Sequence, residues 1–126
     1  MREAATLHGV KRVVFGGNAK KVRGTYNAFT GCMFIGTNQT KKEMLVTFFH
    51  ELGHHVAVKQ NKWKRYHFNL VKHIDIEDVF CIENKIDRIG QKYWNKFVDK
   101  KQWGMYKYCY PKSNKKHMIQ RLLDIS

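Results

Sequence analysis

The chain has 126 residues, the length of one domain, and can bury a core without disulfide support. Its 24 Lys and Arg against 10 Asp and Glu give a formal charge of +14, which points to an anionic partner. No apolar run is long enough for a signal peptide or a membrane span, so a cytoplasmic chain without a membrane partner is expected.

Residues 10–15 (VKRVVF) and 26–35 (YNAFTGCMFI) are short β-branched or aromatic stretches bounded by glycines, and they read as strands, with GGNAKKVRG as the loop or hairpin connection between them. In GTNQTKKEM, Thr40 followed three residues later by Glu43 spells a capping box. It opens a helix from Lys41 to about Gln60 with Met44, Leu45, Phe48, Leu52 and Val56 as its core stripe. Residues 61–73 mix polar, basic and aromatic types and predict a connecting loop with a short element. Asp75 is placed as an N-cap, with Glu77 and Asp78 favourable against the helix dipole, for a helix from about Ile76 to Gln102 that Gly104 ends. Val79, Glu83, Ile86, Asp87, Gly90, Trp94 and Phe97 form one stripe of it. A short amphipathic packing helix is expected from Ser113 to Ile125.

Three cysteines, Cys32, Cys81 and Cys109, are an odd number without CxxC spacing. That argues against a disulfide framework and a thiolate metal site, and they read as reduced, mostly buried apolar residues. The Lys and Arg are densest in Lys59 to Arg65, Lys92 to Lys101 and Lys107 to Lys116, each interleaved with Trp or Tyr. Such interleaving suits bases and phosphates, and an acidic protein substrate would explain the charge as well.

The first long helix contains HELGH, residues 50–54, an HExxH motif. Positions i and i+4 share a helix face, so His50 and His54 can aim two imidazole nitrogens at one zinc ion. Glu51 falls beside the open coordination position, where it can take a proton from a zinc-bound water, whose pKa the metal lowers to about 7, and pass it to a leaving amine. The flanking residues in VTFFHELGHHVAV are apolar on nearly every side. Two histidines and a glutamate buried there need a partner, which a metal supplies; the bland alternative is a hydrogen-bonded core histidine pair.

A catalytic zinc takes three protein ligands and keeps one position for water. The candidates for the third are His55, His67, His73, Glu77, Cys81 and Glu83. His55 projects about 100° away from His54 around the helix. Glu83 is preferred because its stripe must face the core. Asp87, one turn on, can accept the second ring N–H of a ligand histidine. The alternative is that both carboxylates pair with Lys85, Arg88 or Gln91 on a solvated face. Gly53 and Gly90 would let the two helices cross closely.

HELGHH followed by the ExxxDxxG pattern of Glu83, Asp87 and Gly90 resembles the gluzincin class of zinc metallopeptidases. Within that class the chain is most similar to the small ImmA/IrrE-like peptidases of bacteria, phages and mobile elements, over about Gly24 to Phe97. The resemblance implies an α+β, minimal zincin-like domain over residues 1–126, with a small N-terminal sheet packed on the active-site helix and a second ligand-bearing helix. It also implies Zn2+ held by His50, His54 and Glu83, with Glu51 as general base and acid and Asp87 behind a ligand ring. Ile86, where many relatives have alanine, and the high basic charge depart from the pattern.

The expected activity is zinc-dependent endopeptidase hydrolysis of a protein or peptide substrate, with a nucleic-acid partner on the basic surface as a further expectation. An oxyanion donor would come from Tyr93, Tyr106, Tyr108, His67 or His73. The strand ending near Phe34 and Ile35 would receive substrate as an added strand. Two rivals stand beside this reading. A SprT-like protease acting on DNA-bound proteins would take its third ligand from His67 or His73, and a basic binding module would hold a structural zinc with four protein ligands.

Overall fold

The computed structural model describes residues 1–17, 23–68 and 75–108. Helix α1 (Arg2–Leu7) leads into strand β1 (Arg12–Gly16), followed by β2 (Gly24–Asn27) and β3 (Cys32–Gly36). Then come helices α2 (Lys41–Lys59), α3 (Lys64–His67), α4 (Ile76–Phe97) and α5 (Lys100–Trp103). The arrangement is α+β. The helix expected over Ser113–Ile125, His73 and Cys109 lie outside the described residues, and among those described no helix is long and apolar enough to cross a membrane.

The stretch 26–35, expected as one strand, is the end of β2 and most of β3, joined by a tight turn. The side chain of Asn27 accepts from the backbone N–H of Phe29 (2.9 Å) and Thr30 (3.2 Å), and Gly31 takes a positive φ of 71°. The Asn27 side-chain turn and a left-handed glycine reverse the chain despite its aromatic composition. Strand β3 lies in the middle, parallel to β1 and antiparallel to β2, with Ile35 paired to both Phe15 and Gly24. Both edges of β3 are therefore taken, which overturns the expectation that it receives an added strand.

Helix α2 starts at the capping box: Thr40 Oγ1 accepts from the Glu43 N–H, and the Glu43 carboxylate accepts from the Thr40 N–H, both at 3.1 Å. From Val46 to Ala57 every residue of α2 is buried, because β2 and β3 pack on one side and α4 on the other. The crossing with α4 is close. A Cβ added at Gly53 would sit 2.5 Å from the Ile86 carbonyl oxygen, and one at Gly90 would sit 2.5 Å from that of Phe49. Only glycine at both positions lets the two backbones touch.

The expected helix Ile76–Gln102 is two helices. Val98 turns extended (φ −107°, ψ 131°) and Asp99 caps α5 by accepting from the Lys101 N–H at 2.9 Å. The N-terminal α1, which buries Ala4, was not expected. Cys32 is half-buried and Cys81 exposed, so burial of the thiols fails at Cys81, which falls on the outer side of α4.

Candidate metal centre

Where α2 crosses α4, Glu83 Oε2 lies 3.1 Å from Nε2 of His50 and 3.1 Å from Nε2 of His54. All three residues are buried, and their ligand atoms lie within 4.8 Å of one another, a group that can hold a metal ion. An ion bound tetrahedrally at zinc–nitrogen and zinc–oxygen distances would separate neighbouring ligand atoms by about 3.3 Å. The donor set and the two 3.1 Å separations are compatible with such an ion.

Each ligand is held from behind by another side chain. His50 Nδ1–H donates to Asp87 Oδ1 at 2.9 Å, and Asp87 in turn accepts from the hydroxyl of Tyr106. Glu83 Oε1 accepts from the hydroxyl of Tyr66, which leaves Oε2 toward the two histidines. His54 Nδ1 faces Nε2 of His67 at 3.0 Å, and His67 Nδ1 faces the carbonyl oxygens of Lys62 (3.2 Å) and Trp63 (3.1 Å). Carbonyls only accept, so the proton of His67 sits on Nδ1 and its Nε2 accepts from His54 Nδ1–H. The chain of donors ends with the Nε2 lone pairs of both ligand histidines turned toward Glu83.

The electrostatics favour a cation here. Burial works against a charged His50, yet hydrogen bonds to Asp87 and Glu83 and the nearby Glu51 charge push it up to about 10. Burial likewise opposes ionisation of Glu83, but the charge of His54 and hydrogen bonds from both histidines hold its carboxyl well below the usual carboxylate range. Burial, then the neighbouring His54, lowers His67 to about 4, consistent with its neutral, accepting role. Two arrangements satisfy these contacts: two imidazolium ions on one carboxylate, or two neutral imidazoles and the carboxylate on one metal ion. With ring centroids 5.3 Å apart, two imidazolium charges would repel by about 3 kcal/mol at an effective dielectric of roughly 20. A bound metal ion would remove that repulsion and keep both Nδ1–H donors.

The structure separates the other candidates. Glu77 and Cys81 are exposed. His55 is turned away: its Nε2–H donates to the His8 carbonyl (2.6 Å) and its Nδ1 accepts from the Tyr26 hydroxyl (2.7 Å). His67 stands behind His54, on the ring nitrogen opposite Glu83, so it is neither a third ligand beside Glu83 nor placed to donate to an oxyanion. Tyr106 is committed to Asp87, and Tyr93 packs edge-on against His8 at 4.5 Å, so neither of these expected donors faces the ligand cluster. Tyr108 stacks flat on His50, centroids 4.0 Å apart. Glu51 is 4% exposed, and its Cγ would lie 3.3 Å from a Cβ at Gly24 of β2. Glu83 and Asp87 do not pair with Lys85 or Arg88, which are exposed on the other side of α4.

Sequence reasoning missed Tyr66 and gave His67 the wrong role. Both sit on the four-residue α3, just past the basic group Lys59 to Arg65 and within residues 61–73, which read as a connecting loop with a short element. No protein-family model, curated protein or solved structure matches the chain.

Proposed function

We propose that this chain is a zinc-dependent endopeptidase of the gluzincin type with a minimal zincin-like fold, hydrolysing a protein or peptide substrate. The observation that carries the reading is the buried convergence of His50, His54 and Glu83 with Glu51 on the same turn of α2. When bound, zinc supplies a Lewis acid that polarises a peptide carbonyl and lowers the pKa of water. His50 and His54 hold it through Nε2 and Glu83 through Oε2. Glu51 takes the proton from the attacking water and delivers it to the leaving amine. Among the expected oxyanion donors in the described chain, Tyr108 stacks on the His50 ring, whereas His67 spends its Nε2 on His54. Strand β2, an edge strand that packs on α2 and passes Glu51, is the strand suited to align an extended substrate.

The test is Glu51→Gln. Peptide hydrolysis by the zinc-loaded chain is expected to fall by about 10²–10⁴-fold, with one zinc still bound per chain by elemental analysis. Hydrolysis that persists at the wild-type rate in the metal-loaded variant would leave the site structural.

A further inference from the structure

One to two turns before His50 along α2, the site continues into a cavity of about 300 Å³. Lys42, Glu43, Val46 and Thr47 of α2 form one wall. Arg23, just before β2, forms another, and Lys107 with Tyr108 closes the third. Tyr108 joins this cavity to the metal centre, because the ring that lines it also stacks on His50. The volume lies at the small end of ligand pockets, suited to a side chain rather than a folded segment.

Among the described residues, three cations and one carboxylate line the cavity, and the carboxylate is already matched. Arg23 Nη1 lies 2.6 Å from Glu43 Oε2, and the other Glu43 oxygen accepts from the Thr40 N–H at 3.1 Å. These contacts hold the Glu43 carboxyl below its usual range, the Thr40 backbone hydrogen bond contributing most. Lys42 and Lys107 then contribute positive charge that no other carboxylate among the described lining residues balances. Val46, 4% exposed, and the Tyr108 ring supply apolar contact for a short aliphatic stem. A side chain that is apolar at its base and anionic at its tip matches both parts, whereas a basic one meets two like charges.

The geometry points to a specificity pocket that receives an Asp or Glu side chain of the substrate between Lys42 and Lys107, and it rests on the peptidase reading above. One to two helical turns are about 5–11 Å, so the acidic residue falls within about three extended residues of the scissile bond. Such a preference gives part of the chain's positive charge a task.

The experiment digests a synthetic peptide library with the zinc-loaded full chain, then compares kcat/KM for matched peptides carrying Glu, Gln or Lys at the enriched position. Products with Asp or Glu within three residues of the cut are expected, with Glu preferred to Gln by about tenfold. In the double variant Lys42→Glu, Lys107→Glu the Glu-to-Gln ratio should fall to one or below and the Lys peptide should improve. Both lysines are exposed, and Lys107→Ala alone gives a milder loss that reads the same ratio. Cleavage without an acidic preference, or a preference that survives both variants, overturns the pocket and leaves the peptidase standing. A wild-type chain that binds zinc but cleaves no library peptide overturns the peptidase reading, and the pocket with it.

Discussion

Tyr66 donates its hydroxyl hydrogen to Oε1 of Glu83, so a residue from the four-residue α3 selects which carboxylate oxygen faces the histidines. Tyr66→Phe deletes that donor and keeps the buried ring. Zinc affinity is expected to fall by about 10–100-fold, measured by competition with a chromogenic chelator, while the far-ultraviolet circular dichroism stays unchanged. An affinity equal to wild type would reduce Tyr66 to a packing residue.

His67 orients His54 through the carbonyls of Lys62 and Trp63. His67→Ala is expected to weaken zinc about 10–100-fold, and His67→Gln, whose amide oxygen can accept from His54 Nδ1–H, to recover part of that. Glu83→Ala should abolish stoichiometric binding. The opposite ranking, with zinc lost in His67→Ala and kept in Glu83→Ala, would return His67 to the metal and favour the SprT-like arrangement. Nitrogen chemical shifts of His54 give an independent check, since loss of its acceptor should let the ring tautomers mix.

Gly53 and Gly90 lie where the two backbones meet, and the atoms a new Cβ would strike are carbonyl oxygens, which cannot swing away as a side-chain tip can. Gly53→Ala and Gly90→Ala should each destabilise the fold by about 1–3 kcal/mol or more, the usual range for overpacking, measured by urea unfolding of the metal-free chain. Both should also weaken zinc, because separating α2 from α4 moves Glu83 away from His50 and His54. Thr40→Ala serves as the comparison: loss of the cap is expected to cost about 1 kcal/mol without a matching loss of zinc affinity.

The motif-bearing helix was legible because its signals are local: Thr40 and Glu43 mark its start, and apolar neighbours on every side of His50 mark its burial. Glu83 was legible because a carboxylate on an apolar stripe demands a partner. The hairpin within residues 26–35 was hidden, since Asn27 and Gly31 sit among aromatic residues whose strand preference outweighs two turn signals in a composition count. The break at Val98 was hidden because no Pro or Gly marks it, and Asp99 reads equally as a helical surface residue. Tyr66 and His67 were beyond reach for a different reason. Periodicity assigns residues to faces, but which atom of an imidazole or carboxylate meets which partner depends on contacts between segments far apart in sequence.

Helix α3 touches ligands from both long helices at once, Glu83 of α4 through Tyr66 and His54 of α2 through His67. Four residues are too few to hold a helix by their own propensity, and the chain enters them through left-handed turns at Asn61 and Trp63. Whatever free energy this segment lends to ion capture, the captured ion must return to the segment's docking, because coupling between two binding equilibria is reciprocal. In the zinc-binding reading, ion uptake and docking of this segment are thus linked equilibria, and scarcity of the ion would loosen the part of the fold that keeps its ligands aimed.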